Sequence, residues 1–387
     1  MRSILKYLPA VVLILGICRI SLAQNLSGTQ TKDYKKALEE VFFANFKKPA
    51  PLYSKDTLSV IVIGDVMMHT KQLLYDYTGF LEKIRERLTA ADLAVANMEF
   101  TLAGPPYSGY PAFSAPDGFA DYVASCGVDI FLTANNHILD KGHPGVVRTL
   151  DYYEKMQEEG IINYTGISAD SNKERDNYPL MVALKGVRIA FLNFTYGTNC
   201  DISQAWPKVN RMEKEDIMSA INRAKEKKAD YIIALPHWGI EYKLRHSADQ
   251  EKMAYWLAEN GVDMIIGAHP HVVQDSLIIK TKEGRKVPVF YSLGNAVSNM
   301  SAVNTRLELA VTIKIAKSED GSTELLNPEI DFLWCTLPGR LADNFHTIAV
   351  KDYADKRELW IDCTDYDNMM ETYSRVKAQT GIEDKFE

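Results

Sequence analysis

The amino-acid sequence predicts an α/β protein built from two mixed β-sheets that are flanked by helices. Short apolar runs of strand length recur from Leu58 onwards, and segments with apolar residues at helical spacing separate the early ones. Later strands instead form pairs around turn sequences such as Lys185-Gly186 and Lys282-Glu283-Gly284, which is typical of hairpins. This mixture of connections favours two packed sheets over a single parallel sheet.

Eight apolar runs are predicted to be strands because each has strand length and ends in polar or turn-forming residues. They are Leu58–Ile63, Leu93–Ala96, Ile130–Thr133, Arg188–Phe194, Tyr231–Leu235, Met264–Ile266, Val287–Ser292 and Leu307–Ile315. Two of them are predicted to pair in hairpins with shorter runs, Val182–Leu184 and Ile278–Lys280.

Five segments between these runs are predicted to be helices: Gly79–Arg87, Asp117–Cys126, Gly145–Glu159, Met212–Lys227 and Ser247–Asn260. In the last one, Met253, Trp256 and Leu257 fall at helical spacing, and Gly261 follows where a helix cap is expected.

The first residues are predicted to be a secretory signal peptide rather than part of the fold. Residues 1–23 combine a basic start, an apolar stretch too short to span a bilayer comfortably, and the cleavage-type sequence Ser21-Leu22-Ala23. A lipoprotein anchored through Cys18 is disfavoured, because Ile17 stands where such sites have a small residue. Residues 24–56 are predicted to be a helical arm, from Tyr34 to Phe46, followed by a proline-containing linker.

Charge restricts the partners of the chain. The formal net charge is −7, and removing the signal peptide takes away three basic residues and no acidic one, which gives −10. No basic run is long enough to follow a phosphate backbone, so the sequence argues against nucleic acid as a partner.

Polar motifs follow most of the apolar runs, and five of the eight histidines lie in these motifs. In chain order the motifs are Gly64-Asp65-Val66-Met67-Met68-His69, Asn97-Met98-Glu99, Asn135-Asn136-His137, His237-Trp238-Gly239 and Gly267-Ala268-His269-Pro270-His271. Open α/β folds build their sites where strands end at one edge of a sheet, so these groups are expected to meet there.

Each motif alone has an ordinary explanation as a turn, a helix cap or a hydrogen-bonded pair of imidazoles. Their repeated position after apolar runs is not explained in that way. The side-chain types suit a borderline divalent ion such as Mn, Zn or Fe, and a carboxylate between two ions can bridge them. The carboxylate candidates are Asp65 and Glu99, the imidazole candidates are His237, His269 and His271, and Asn136 can supply an amide oxygen. The sequence therefore predicts a metal-dependent protein.

The ordered motifs resemble those of the calcineurin-like metallophosphoesterase superfamily and, more closely, those of the capsule-synthesis CapA, or poly-γ-glutamate biosynthesis, family. The match covers about residues 58–300. Besides the motifs above, it rests on Asp140 and Gly142, on Glu241-Tyr242, on Gln274 and on Tyr291-Ser292-Leu293-Gly294-Asn295.

The resemblance implies a four-layer α/β/β/α metallophosphatase-like fold. The site motifs stop before about residue 317, where Ser318-Glu319-Asp320-Gly321 indicates a turn, so the domain is expected at residues 57–316 and a C-terminal extension at residues 317–387. The resemblance also implies roles for single residues. Asp65 and His271 would hold one metal ion. Asn136, His237 and His269 would hold a second, and Glu99 would bridge the two. His137 would protonate a leaving group and would be oriented by Asp140.

The chain departs from the phosphoesterase pattern in three places. Such enzymes usually show Asp-x-His at the first motif, whereas the nearest histidine here is His69, which is expected to be solvated or to contact a ligand from outside. The bridging acid is glutamate rather than aspartate, and Gly294-Asn295 is followed by Ala296 instead of an aromatic residue. A site with one ion is therefore an alternative to a site with two.

Function follows from the resemblance as an expectation with alternatives. The first interpretation is an exported metal-dependent enzyme that acts on capsule or poly-γ-glutamate, with metal-activated water attacking an amide carbonyl and His137 protonating the departing amine. The second is a metallophosphoesterase, and the third is a non-catalytic scaffold for polymer export. The expected partners are an anionic cell-surface polymer or its precursor and a membrane synthase complex, and the expected location is the periplasm or cell surface. Lys243 and Arg245 are candidates to contact a polyanion.

Overall fold

The structure, a computed structural model, describes residues 57–318 and 322–384. The predicted signal peptide and the predicted helical arm and linker lie outside the described residues, so both remain predictions. Among the described helices, none combines the length and apolar character needed to cross a membrane.

Strands and helices alternate through the first two thirds of the described chain. The strands are β1 (Thr57–Val66), β2 (Leu93–Met98), β3 (Ile130–Leu132), β4 (Asn163–Thr165), β5 (Ile167–Ser168), β6 (Leu180–Leu184), β7 (Val187–Thr195), β8 (Lys208–Val209), β9 (Tyr231–His237), β10 (Met264–Ile266), β11 (Ser276–Lys280), β12 (Lys286–Phe290), β13 (Asn295–Val297), β14 (Leu307–Lys317), β15 (Thr323–Leu325), β16 (Glu329–Thr336) and β17 (His346–Ala349). The α-helices are α1 (Arg85–Ala90), α2 (Asp117–Ser125), α3 (Gly142–Glu158), α4 (Ser171–Asn177), α5 (Lys214–Glu226), α6 (Ala248–Glu259), α7 (Val350–Tyr353) and α8 (Cys363–Thr380).

The first sheet is mixed. Its strands lie in the order β17-β16-β14-β1-β2-β3-β4, and β13 and β15 pair with β1 and β14. Strands β1 to β4 run parallel to one another, whereas β14, β16 and β17 each run antiparallel to the strands beside them in this order. The parallel half places the carboxyl ends of β1, β2 and β3 side by side.

The second sheet has the order β11-β12-β10-β9-β7-β6. Its four central strands are parallel, and the antiparallel strands β6 and β11 close the edges as hairpins. The turn between β6 and β7 consists of Lys185 and Gly186, both with positive φ, which suits the twist of a two-residue hairpin. The prediction of two mixed sheets is thus confirmed.

Alternating side chains on the strands show that the sheets pack face to face. In β1, Val60 and Val62 belong to the core cluster shared with the second sheet, whereas Ile61 and Ile63 belong to the cluster shared with α2 and α3. The alternation in β9 is equivalent, with Ile233 and Leu235 facing the first sheet and Ile232 and Ala234 facing α5 and α6. Because successive residues of a strand point to opposite faces, these clusters define a four-layer α/β/β/α sandwich.

The ends of α6 follow local rules that the sequence contains. Ser247 and Gln250 form a capping box at its start, in which each side chain bonds to the other residue's backbone N–H. Gly261 follows its end with φ of 107°, a conformation that favours glycine.

The segment predicted as the helix Gly79–Arg87 differs from the prediction. It consists of two short 3₁₀ turns, Tyr77–Gly79 and Glu82–Ile84, followed by α1. The backbone N–H of Leu81, which lies between the two turns, donates to the Tyr122 hydroxyl at 2.9 Å, so a tertiary hydrogen bond fixes the chain at this break.

The residues after 317 share both the first sheet and the core between the sheets. Strand β16 pairs with β14, and Met369 and Val376 of α8 belong to the core cluster between the sheets. Arg306 also makes two hydrogen bonds, of 2.6 and 2.7 Å, to the carboxylate of Asp365 near the start of α8. The boundary between domain and extension remains a prediction.

Candidate metal centre

The candidate site lies at the carboxyl ends of five parallel strands, which come from both sheets. Motif residues end or directly follow β1, β2, β3, β9 and β10. The two sheets meet at this edge: Nδ2 of Asn97 in β2 lies 3.2 Å from Nδ1 of His237 in β9, and the backbone N–H of His269 after β10 donates to Oδ2 of Asp65 in β1 at 3.3 Å. This arrangement brings together side chains that are far apart in sequence.

Two buried carboxylates form the floor of the site. The side chain of Asp65 accepts a hydrogen bond of 2.6 Å from Nδ2 of Asn97. Glu99 is fully buried, and neither of its carboxylate oxygens accepts a hydrogen bond from a donor in the described residues. Burial, followed by the charge of Asp65, raises the pKa of Glu99 well above its ordinary value. Such a carboxylate lacks a compensating cation.

His237 faces the Glu99 side of this floor. Its Nε2 lies 2.7 Å from Oδ1 of Asn136 and 3.6 Å from Oε1 of Glu99. Burial, with the neighbouring histidines adding to it, holds the pKa of His237 well below its ordinary value. The ring is therefore a neutral imidazole, the form that binds metals.

His269 and His271 lie in the loop after β10 and not in a strand. Both have left-handed backbone conformations, with φ of 98° and 58°. Such conformations cost a non-glycine residue on the order of 1–3 kcal/mol and cluster at functional sites. The strain is consistent with a loop shaped to place two imidazoles.

The two rings have different surroundings. Nδ1 of His269 is buried and has no hydrogen-bond partner among the described residues, and burial lowers the pKa of His269 to about 3. Nδ1 of His271 lies 3.0 Å from Oδ1 of Asn295 and 3.3 Å from Oδ2 of Asp65. Burial alone would lower the pKa of His271, but the hydrogen bond and charge of Asp65, with Glu241 adding to them, raise it.

These donors form three overlapping groups, in each of which the ligand atoms lie within 4.8 Å of one another. The groups are Asp65 with Glu99 and His271, Glu99 with His237 and His269, and Glu241 with His269 and His271. Glu99 is common to the first two groups, as a bridging carboxylate would be. The orphaned atoms of Glu99 and His269 fit a divalent cation, because a cation would satisfy both donors and offset the two buried carboxylates.

His137 belongs to none of these three groups, although it is buried beside them. Its Nδ1 lies 2.7 Å from Oδ2 of Asp140, and the same oxygen accepts a hydrogen bond of 2.8 Å from the backbone N–H of Phe113. The ring packs edge-on against Phe113 at a centroid distance of 4.7 Å. The preceding residue, Asn136, contacts His237 at 2.7 Å, which places His137 beside the candidate ligands.

His69 is also absent from these groups. Its Nδ1 lies 3.2 Å from Oε1 of Gln72 and 3.2 Å from the backbone nitrogen of Asn299. Burial lowers the pKa of His69 to about 4. The side chain therefore holds the loop after β1 against the segment after β13, and its place outside the ligand set remains a prediction.

Several residues that position the site are not among the residues predicted from the sequence. Asn97 contacts Asp65 and also lies 3.2 Å from Nδ1 of His237. Asn199 contacts both Asn136, at 3.3 Å, and the ring of His137, at 3.2 Å. Glu308 accepts a hydrogen bond of 2.6 Å from the backbone N–H of Gly64, beside Asp65. Asn97 lies in a quoted motif and could have been found, whereas Asn199 and Glu308 carry no recognisable sequence signal.

Lys243 and Arg245, the two candidate contacts for a polyanion, contact Gln274 and Asp275, respectively. Nη1 of Arg245 lies 3.1 Å from Oδ2 of Asp275, and the carbonyl oxygen of Lys243 accepts a hydrogen bond of 2.9 Å from Gln274. Both side chains are exposed. Asp275 thus partly offsets the charge of Arg245.

The fold and the site together define a four-layer α/β protein with imidazoles and carboxylates positioned to bind divalent metal. Residues 59–300 match the family model of the bacterial capsule synthesis protein PGA_cap, and the chain belongs to this family. The resemblance seen in the motifs is confirmed.

Two curated relatives share this similarity. The capsule biosynthesis protein CapA of Bacillus anthracis is 28% identical over 273 residues, which are 67% of this chain and 64% of that protein. The PGA biosynthesis protein CapA of Bacillus subtilis (strain 168) is 28% identical over 290 residues, which are 70% of this chain and 72% of that protein. The alignment thus spans less than two thirds of the Bacillus anthracis protein.

Solved structures with similarity to this chain include two nucleotidases. The 5′-nucleotidase precursor from Thermus thermophilus has a TM-score of 0.44 and 15% identity, with 83% of this chain and 59% of that chain covered. The NAD nucleotidase of Haemophilus influenzae has a TM-score of 0.46 and 14% identity, with 84% of this chain and 60% of that chain covered.

Proposed function

We propose that this protein is an exported, metal-dependent enzyme that cleaves or transfers an amide bond in capsular or poly-γ-glutamate polymer. The observation that carries the proposal is the convergence of three buried histidines on two buried carboxylates, beside the separate His137–Asp140 pair. Ligands and a proton donor in one cleft are the parts that metal-assisted hydrolysis requires.

The groups of donors support a site with two cation positions. Asp65 and His271 would hold one ion, and Asn136, His237 and His269 would hold the other, with Glu99 between them. When bound, Mn, Zn or Fe would supply Lewis acidity that polarises a carbonyl group and activates water. The protein contributes His237 at the end of β9 and His269 and His271 in the loop after β10, and burial lowers the pKa of His237 and of His269, which favours their neutral form.

His137 is suited to donate a proton. Its Nδ1 faces the carboxylate of Asp140, which leaves Nε2 to carry a proton to a departing amine. Asp140 is itself fixed by the backbone N–H of Phe113, so the imidazole is held by a rigid partner. An anchored carboxylate stabilises the imidazolium and orients the ring.

Acidic charges surround Glu99. After burial, the charges that act most strongly on it are those of Asp65, Glu241 and Asp140. A phosphoryl group and a γ-linked glutamate chain both carry negative charge, so either substrate would need the proposed cations to offset these carboxylates.

Exposed tyrosines surround the mouth of the cleft. The rings of Tyr110, Tyr196 and Tyr242 lie 6.4, 4.6 and 6.4 Å from those of His137, His269 and His271, respectively. Such rings can pack against the aliphatic part of a polymer while their hydroxyl groups stay hydrated. This rim of tyrosine rings supports a chain-like substrate or the precursor of one. In the same proposal, a membrane synthase complex supplies that substrate.

The test combines metal analysis with a substrate panel. Protein purified without chelators is analysed for Mn, Zn and Fe, and is then incubated with γ-linked oligoglutamate, α-linked oligoglutamate and a chromogenic phosphodiester. We expect a bound divalent metal and metal-dependent shortening or re-ligation of the γ-linked chain alone. Turnover of the phosphodiester alone would instead indicate a phosphoesterase, and bound metal without any turnover would indicate a scaffold.

A histidine pair provides the control. His237→Ala removes a proposed ligand, whereas His143→Ala removes a partly buried histidine that contacts the carbonyl oxygen of Trp206 at 3.2 Å. Metal content and turnover should fall in the first variant and persist in the second. Equal effects of the two substitutions would contradict the proposed site.

A further inference from the structure

The two proposed cation positions are unequally supplied with protein donors. The position at His237 and His269 has Glu99 and the Asn136 amide oxygen as further donors. The position at Asp65 and His271 has only Glu99 in addition. Divalent ions of the proposed kinds take four or more ligands, so the set of protein donors at Asp65 and His271 is short by at least one.

Neighbouring residues of the first motif do not supply the missing ligand. Met67 is buried in the core cluster that lies between the first sheet and its helices. Nδ1 of His69 is engaged with Gln72 and the backbone of Asn299, and His69 is absent from the described donor groups. Water fills such a position at three-ligand catalytic sites, and a fourth protein donor would have to come from another segment.

Glu241 is positioned to be this donor. Its carboxylate lies within 4.8 Å of ligand atoms of both His269 and His271. Among the described residues it forms no ion pair with Lys or Arg, and it is partly exposed at the mouth of the cleft. His269 belongs to the same group of donors, and its buried Nδ1 has no hydrogen-bond partner among the described residues.

The loop that carries Glu241 is fixed on the side of His271. The backbone N–H of Tyr242 donates to the carbonyl oxygen of Pro270 at 2.9 Å, between the two histidines. The ring of Tyr242 then lies 6.4 Å from that of His271. Tyr242 has φ of 65°, so the loop carries local strain at this contact.

Two further contacts fix the ends of the loop. Gly239 has φ of 103° and packs so closely on Gln250 that a Cβ atom would lie 2.7 Å from its side chain. Gln250 in turn donates to Gln274 at 2.8 Å, and Gln274 donates to the carbonyl oxygen of Lys243 at 2.9 Å. The position of Glu241 is therefore built into the fold.

We infer that Glu241 is a protein ligand of the cation held by Asp65, Glu99 and His271, an assignment that rests on the metal dependence proposed above. Its carboxylate would cover that cation from the mouth of the cleft, opposite the buried floor. A fourth protein donor leaves fewer positions for water and substrate at this ion than at a three-ligand site.

The test measures metal binding and not only turnover. Glu241→Gln removes the charge and keeps the shape, and Glu283→Gln makes the same change in the exposed turn between β11 and β12. Metal-free proteins are titrated with Mn²⁺ by calorimetry and by electron paramagnetic resonance, after circular dichroism shows that each variant is folded. Losing an outer contact alone costs about 10–100-fold in affinity, so Glu241→Gln should weaken one ion by about tenfold or more.

Two backgrounds identify which ion is affected. In His237→Ala, the remaining ion is the one at Asp65, and adding Glu241→Gln should weaken it further. In Asp65→Ala, adding Glu241→Gln should change nothing. If His237→Ala abolishes all binding, the comparison of Glu241→Gln with the unsubstituted protein decides the question.

The outcomes separate this inference from the proposed function. If the unsubstituted protein binds metal and Glu241→Gln binds it equally well, the inference is wrong and the metal-dependent function stands. A raised KM with unchanged metal affinity would make Glu241 a substrate contact instead. Weakening that persists in Asp65→Ala and vanishes in His237→Ala would assign Glu241 to the other ion. A protein that binds no Mn, Zn or Fe would overturn both proposals.

Discussion

Nδ1 of His137 lies 2.7 Å from Oδ2 of Asp140 in a pair that is almost completely shielded from solvent. Only two residues, Ile138 and Leu139, lie between them in the turn that follows β3, so the pair is local in sequence, and the backbone N–H of Phe113 holds Asp140 in place. The metal-ligand candidates depend on two sheets meeting. Proton transfer and metal binding can therefore be tested separately.

His137→Ala should lower turnover of the γ-linked oligoglutamate by roughly a hundredfold or more, the usual loss when a general acid is removed. Metal content should stay at the level of the unsubstituted protein, because His137 belongs to none of the donor groups in the described residues. Elemental analysis and steady-state kinetics on the same preparation measure both. Loss of metal in this variant would count against a role as proton donor.

Asp140→Asn should reduce kcat less than His137→Ala does and leave KM unchanged. An asparagine can still accept the hydrogen bond from the backbone of Phe113, but it no longer offsets positive charge on the imidazole. Steady-state kinetics separate this positioning effect from a loss of substrate binding. A variant with raised KM and normal kcat would place Asp140 in substrate binding.

Much of the fold could be predicted because local patterns and final packing agree. β1 extends beyond the predicted Leu58–Ile63 but contains it, and the Ser247–Gln250 capping box begins α6 where its spacing indicates. The 3₁₀ turns before α1 could not be predicted, because the hydrogen bond between Leu81 and Tyr122 joins residues that are 41 positions apart.

The structure brings all six predicted ligand candidates to one edge of the sandwich, while their roles as metal ligands remain a prediction. Motifs after strands reveal Asp65 and Glu99, because strand ends are visible in the sequence. Asn295 contacts His271 only because β13 pairs with the end of β1, and that pairing leaves no sequence signal. Glu241 likewise depends on a loop whose path is set by tertiary contacts.

The metal-free protein should lose stability as the pH falls below about 6.5. The pKa of His269 is about 3 in the folded state against 6.5 ordinarily, so only the unfolded chain takes up this proton between those values. The stabilisation is present above pH 6.5 and is lost as the pH falls towards 3. Glu99 has the opposite effect because its pKa is raised. Above pH 4.5, its ordinary pKa, the folded protein keeps a proton that the unfolded chain has lost, so this group adds stability as the pH falls.

Comparison with His269→Asn isolates the contribution of His269. Between pH 7 and pH 5, the free energy of unfolding of this variant should fall by roughly 1–2 kcal/mol less than that of the unsubstituted protein. Urea unfolding of both metal-free proteins measures the difference. Glu99 is present in both proteins, so its contribution cancels in the comparison. Parallel pH profiles would mean that His269 is not held neutral in the folded state.

The mature protein should begin at Gln24 if residues 1–23 are a signal peptide. The motivation is the basic start, the apolar stretch and the sequence Ser21-Leu22-Ala23, all of which lie outside the described residues. N-terminal sequencing of protein recovered from the cell exterior or periplasm provides the measurement. A blocked N-terminus at Cys18 would show lipid attachment and would replace release with a membrane anchor.

Gly267→Ala should destabilise the protein and weaken metal binding together. A Cβ atom at Gly267 would lie 2.2 Å from the carbonyl oxygen of Tyr291 and 2.4 Å from Nε1 of Trp238, which themselves share a hydrogen bond of 2.9 Å. The contacted oxygen of Tyr291 belongs to the backbone and cannot shift at low energetic cost, so the free energy of unfolding should fall by about 1–3 kcal/mol. Because His269 follows two residues later, the displaced loop should also bind Mn²⁺ less tightly.

Gly197→Ala is the matched control for this substitution. The nearest atom to its added Cβ is Nη1 of Arg211 at 3.8 Å, an ordinary van der Waals distance, so the methyl group fits. Urea unfolding and Mn²⁺ titration should leave this variant close to the unsubstituted protein in both respects. If Gly267→Ala is destabilised but binds Mn²⁺ normally, the packing of Gly267 supports the fold without positioning His269, and the coupling argued for the loop after β10 is wrong.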